Sequence, residues 1–185
     1  MKTKRLSVDQ HPAHTVRQRR ERGFTLIELI MVIVILGVLA VFATPMLRTD
    51  DFNARGFHDE TMALLRYAQK SAVAQRRMVC VTFDLASTPH TATLTMENPT
   101  PVSTPMPSVS CTVNMVGPNG VAVIRARSGV TYSSATSIVF DGLGQPVNAT
   151  TRAALVANSS VRVASGGTPI SQTITIEFGT GYVHD

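Results

Sequence analysis

A chain of 185 residues that is 44% apolar, 16% charged and 5% aromatic, with no tryptophan, has room for one ordinary domain and enough apolar residues for a core. Two cysteines exclude a disulfide-dense miniprotein, and the composition excludes a collagen-like or wholly disordered chain. The net charge of +5 lies in one place: residues 1–23 carry seven basic residues against Asp9 and Glu21, while residues 24–185 carry ten basic and ten acidic ones, so the body is not a basic nucleic-acid-binding domain.

After the basic tail, Phe24 to Ala43 is a run of twenty residues with one charge, Glu28, and one hydroxyl, Thr25. At about 1.5 Å per residue such a helix is about 30 Å long, the thickness of a hydrocarbon core. Apolar residues fall on every face, which predicts a membrane span rather than an amphipathic surface helix. Basic residues before the span and Arg48-Thr49-Asp50-Asp51 after it predict a cytoplasmic N-terminus and an exported body. A cleavable secretory signal would have a shorter apolar core and a small-residue cleavage site, and Ala43-Thr44-Pro45-Met46 is a poor one. Glu28 is the anomaly, because a carboxylate inside an apolar helix costs a few kcal/mol at the bilayer centre. It stands one helical turn after Phe24. A cut between Gly23 and Phe24 would create an amino terminus at the membrane edge, which Glu28 could neutralise on its own chain or on a neighbour.

Beyond the span, Asp50, Asp51 and Asn53 offer capping side chains, and Asn53–Met78 is predicted to be an amphipathic helix. Phe57, Leu64, Leu65, Ala68, Ala72 and Val73 form its apolar stripe, and it is expected to continue the first helix past bends near Pro45 and Asp51. From Val79 the period changes to two. Strands are predicted around 79–83, 92–96, 121–127, 137–140, 160–163 and 172–178, with turns at 117–120, 141–144 and 166–169. Residues 98–108, with four prolines, predict a stiff surface loop. No repeat or second-domain boundary is visible.

The basic leader, Gly23, then Phe24-Thr25-Leu26-Ile27-Glu28-Leu29 and the apolar run resemble the class III signal of type IV pilins and type II secretion pseudopilins. The resemblance implies cleavage after Gly23 by a prepilin peptidase, N-methylation of Phe24, engagement of a neighbour's amino terminus by Glu28, and a helix bend at Pro45. Phe57-His58-Asp59-Glu60 through Gln75-Arg76-Arg77, then Ile138 to Pro146 with its Asp141-Gly142-Leu143-Gly144 turn, and a final Ile174–Val183 strand with Thr180-Gly181, are similar to the GspH/FimT family of minor pilins. Within that family Ala54-Arg55-Gly56-Phe57-His58-Asp59-Glu60 and the following Cys80 most resemble the minor pilin of the mannose-sensitive haemagglutinin (MSHA) system. The likeness implies an α+β pilin-like fold, a long N-terminal helix packed on a C-terminal antiparallel β domain. The parts would be a cleaved leader (1–23), a transmembrane and assembly helix (24–48) and a periplasmic domain (49–185). The implied partners are the prepilin peptidase, other major and minor pilins, the pilus assembly platform and the inner membrane, and the implied role is to initiate or cap a pilus. A minor pseudopilin of a type II secretion system is the alternative, and a DNA-uptake pilin a more distant one.

Cys80 and Cys111 both follow the span, so export to an oxidising compartment predicts a disulfide, with two separate buried thiols as the alternative. His58, Asp59 and Glu60 point to different helix faces, cannot converge on one metal and are expected to be solvated. No nucleophile elbow, phosphate loop or metalloprotease motif occurs, so neither an enzyme nor a cofactor is expected. Nucleic acid is not an expected partner, since a DNA receptor would need Arg125, Arg127, Arg152 and Arg162 to cluster in space.

Overall fold

The computed structural model describes residues 24–43, 49–98 and 108–185. These fall into two compact units divided between Leu47 and Arg48. The leader with Gly23, the bend at Pro45 and residues 99–107 of the proline-rich loop lie outside the described residues.

The first unit contains α1 (Leu26–Ala43). It starts two residues after the predicted Phe24, because Thr25 caps it: the Glu28 amide donates to the Thr25 hydroxyl at 3.3 Å and to the Thr25 carbonyl at 3.1 Å, and the Leu29 amide reaches that carbonyl at 3.2 Å. Its large apolar side chains from Leu26 to Leu39 are all more than 40% exposed. Among the described residues no helix is long and apolar enough to cross a membrane by itself, and the 18 residues of α1 extend about 27 Å.

The second unit is α+β. Helix α2 (Thr49–Gln75) precedes ten strands, β1 (Val79–Asp84), β2 (Thr91–Glu97), β3 (Cys111–Asn114), β4 (Val123–Arg125), β5 (Val130–Ser134), β6 (Ile138–Phe140), β7 (Pro146–Val147), β8 (Ser159–Ser165), β9 (Thr168–Ile176) and β10 (Val183–His184). Helix α2 begins four residues earlier and ends three earlier than the periodicity predicts. Asp50 and Asp51 lie in its first turn, where carboxylates favour the exposed amides, so Asp51 is helical and not at a bend; its carboxylate accepts the Ser165 hydroxyl at 2.9 Å. At the other end Arg76 turns left-handed (φ 52°). The Arg76 amide then donates to the Val73 carbonyl and the Arg77 amide to the Ala72 carbonyl, the paired bonds of a Schellman cap. Arg77 lies past the helix, and its guanidinium donates to the Glu97 carbonyl.

One antiparallel sheet runs β3-β2-β1-β6-β7, with β4 on the same edge of β2 as β3; the other runs β10-β9-β8-β5. The Gly166-Gly167 pair, both at positive φ, makes the two-residue turn between β8 and β9. The expected single strand Ile174–Val183 is instead a hairpin. Strand β9 stops at Ile176, Gly181 takes φ 69° with its amide on the Glu177 carbonyl, and the chain returns as β10. One face of α2, with Ala54, Phe57, Thr61, Leu64, Leu65, Ala68 and Ala72 at three- and four-residue spacing, is buried against both sheets. Tyr132 is central: its ring lies 4.9 Å from that of Phe57 and 5.1 Å from that of Phe83, and its hydroxyl is 2.9 Å from Thr61 Oγ1. Burial raises the Tyr132 pKa, the nearby Glu60 charge adds to the rise, and the Thr61 bond partly opposes it.

Candidate assembly site and its scaffold

At the start of α1, Thr25 and Glu28 stand at the cap and third helical positions, the Thr-x-x-Glu spacing of a capping box. Half of that box is made, by the Thr25 hydroxyl. The Glu28 side chain is exposed, as is Phe24 at 81%, and among the described residues its carboxylate accepts no hydrogen bond. A closed first helical turn therefore leaves a carboxylate free one turn from Phe24. Thr25 is the residue that sequence reasoning missed here, although its spacing to Glu28 was a readable signal.

In the second unit a disulfide joins Cys80 to Cys111, with Cα atoms 6.1 Å apart. It links β1 to β3 across the intervening β2 on the sheet face away from α2, since Cys80 alternates with the core residues Val79 and Val81. There it forms a small second core with Val139 and Val147, flanked by Met78 and Val109. Glu97 closes β2 beside it, paired with Arg152, whose φ of 59° is left-handed. The residues on both sides of the proline-rich loop are thus tied down, Glu97 by Arg77 and Arg152, and Val109 by its amide on the Ala149 carbonyl at 2.7 Å.

The turn 141–145 and the turn 177–182 interlock at the C-terminal half of α2. The Gln69 amide donates to the Gly144 carbonyl at 3.2 Å and to the Thr180 carbonyl at 2.9 Å, and Gln145 Nε2 donates to the Gly179 carbonyl at 3.0 Å. Asp141 holds its own turn by accepting the Leu143 and Gln145 amides, both at 2.9 Å. A Cβ on Gly142 would press on the Arg76 backbone, at 3.0 Å from its carbonyl carbon. A Cβ on Gly181 would strike the Gly144 carbonyl oxygen. The glycine-rich signature is therefore a packing joint that ends α2 and locks the two turns to it.

Two expectations about charged residues divide. His58 is not solvated but buried at 2% exposure, because its spacing to Ala54, Phe57, Thr61 and Leu65 puts it on the inward face of α2. Asp59 beside it is exposed, and Glu60 accepts the Asn119 amide at 3.0 Å. No cluster of three metal-ligating side chains exists among the described residues. Three of the four arginines are spread apart. Arg125 stands opposite Thr91 and Arg152 pairs with Glu97, the two ends of β2 and about 20 Å apart at 3.4 Å per residue, while Arg162 lies in the other sheet.

Comparison with known proteins gives a local match and two distant likenesses. Comparison with curated proteins finds no match. Two crystal forms of the type IV minor pilin FimU of Pseudomonas aeruginosa are similar at 14% identity: one has a TM-score of 0.47 over 74% of this chain and 90% of that one, the other 0.42 over 68% and 86%. Likeness at that level fixes neither function nor partner. Residues 18–44, the segment that holds Phe24, Thr25 and Glu28, match the prokaryotic N-terminal methylation motif.

Proposed function

We propose that the chain is a minor type IV pilin of the MSHA type, cleaved after Gly23 by a prepilin peptidase, methylated on Phe24, and used to initiate or cap a pilus. The observation that carries this reading is the methylation motif over residues 18–44, coinciding with an apolar helix whose every face is uncovered. A helix of that kind is not stable in water alone, so its apolar surface calls for lipid or for neighbouring helices. Phe24 and Thr25 precede α1, and with them the apolar run reaches the roughly 30 Å of a hydrocarbon core. Before assembly the helix sits in the inner membrane, N-terminus in the cytoplasm and body in the periplasm.

Assembly exchanges lipid for packing among helices. In that setting an unpaired Glu28 carboxylate is costly until it meets a positive amino terminus, so it sets the axial register of the incoming subunit. The work of the body is to present surface to neighbouring pilins. The test is a clean deletion, complemented in trans, scored for sheared pili and for proteins released to the medium. Loss of pili with secretion intact supports the proposal. Intact pili with secreted proteins trapped in the periplasm would make the chain a minor pseudopilin of a type II secretion system.

A further inference from the structure

We propose that His58 is an acid-tightened latch for the C-terminal strand. Strand β10 is held to its sheet by only two residue pairs, Val183 with Ile176 and His184 with Thr175. Helix α2 holds it from the other side: Arg66 Nε donates to the Val183 carbonyl at 3.0 Å, and His58 Nε2 lies 3.3 Å from Asp185 Oδ1. The opposite ring nitrogen, Nδ1, lies 3.2 Å from Asp59 Oδ1. Both nitrogens of a buried ring therefore face carboxylates. A neutral imidazole carries one N–H and can satisfy only one of them, turning a lone pair toward the other. Nε2 has no hydrogen bond of adequate geometry, although Asp185 stands within ion-pairing distance. The imidazolium donates from both nitrogens and closes both contacts with charge assistance.

Among the described residues the charged groups within ion-pairing distance of the ring are Asp59 from α2 and Asp185 from beyond β10, while the Arg66 guanidinium engages the Val183 carbonyl. Glu60 is engaged by Asn119, and Tyr132, reaching α2 through Thr61, is kept neutral by burial. His184 is the other imidazole nearby; it stacks on Tyr182 and lies 3.7 Å from Glu177. The imidazolium holds both carboxylates and the neutral ring only one, so acid closes the latch and alkali loosens it. The β9–β10 turn that it steadies carries the exposed Phe178 and Tyr182.

The experiment is hydrogen exchange of the full chain in detergent micelles at pH 5.0 and 8.0, corrected for intrinsic rates and read over residues 182–185 with β8 as internal reference. Wild type is expected to lose about tenfold of its protection there at pH 8.0, the scale of one charge-assisted hydrogen bond, while β8 does not change. His58→Gln and Asp185→Asn should each abolish the difference, and His184→Gln should keep it. Asp185 is exposed, so its variant remains informative if His58→Gln does not fold. Equal protection of wild type at the two pH values, or a pH difference surviving in Asp185→Asn, would overturn the latch.

Discussion

Replacing Gly181 with alanine tests the joint between α2 and the two turns. The residue sits at φ 69°, where a non-glycine side chain costs about 1–2 kcal/mol. The added Cβ would also strike the Gly144 carbonyl oxygen and approach Gln69 Nε2 to 2.8 Å, so the turns must separate. Separation breaks the two Gln69 hydrogen bonds, worth about 1 kcal/mol each. The sum is about 3–4 kcal/mol. Gly166→Ala is the control: it has φ 55° but nothing within 4 Å of its Cβ, so it should pay only the backbone term. Equilibrium unfolding of the full chain in detergent, followed by far-ultraviolet circular dichroism, should separate the two variants by about 2 kcal/mol. Equal destabilisation would refute the interlock and reduce the glycine-rich signature to ordinary turn chemistry.

Other outcomes follow from the same physics. Cys80→Ser with Cys111→Ser should cost roughly 3–4 kcal/mol in the same unfolding assay, the chain-entropy value for a 31-residue separation. Arg76→Gly should stabilise by about 0.5–1 kcal/mol, since it relieves a left-handed arginine without touching the Schellman bonds. The folded-state pKa of Tyr132 lies above the unfolded value near 10, so its contribution is intact below that pH and is lost as pH rises beyond it. Tyr132→Phe should therefore flatten the alkaline unfolding curve, while weakening the protein at neutral pH by about 1 kcal/mol through the lost Thr61 bond. Glu28→Ala should still be cleaved, as judged by electrophoretic mobility, yet be absent from sheared filaments; normal incorporation would sink its register role.

Much of this architecture is legible in the sequence because single-period patterns dominate it. The stripe through Phe57, Leu65, Ala68 and Ala72 identifies α2, and the alternation in Val79–Phe83 identifies β1. The misses come from tertiary competition with those patterns. The end of α2 is set by Gly142 packing on Arg76, a contact 66 residues distant in sequence, and no local propensity records it. Cys80 and Val139 are buried on the face that alternation assigns to solvent, because the disulfide covers it. His58 shares the inward face of α2 with Ala54, Thr61 and Leu65, so its burial was readable from the stripe, and only its contact with Asp185, made by the return of β10, was not. Strand β5 shows its alternation only over Val130-Thr131-Tyr132 before two serines, too short a signal to stand out, although Val130 and Tyr132 are core. At the candidate site Phe24, Thr25 and Glu28 lie within a helical turn and a half, so the capping bond between Thr25 and Glu28 was readable from one segment.

Processing by a prepilin peptidase would make Phe24 the first residue of the working protein. Sheared filaments and inner membranes from the native cells should both yield this chain, and mass spectrometry of its N-terminal peptide decides the matter. The expected result is a chain beginning at Phe24 with one methyl group on its amine, in the membrane and, in small amount, in the filaments. A chain that retains Met1 and residues 2–23 in both fractions would contradict it.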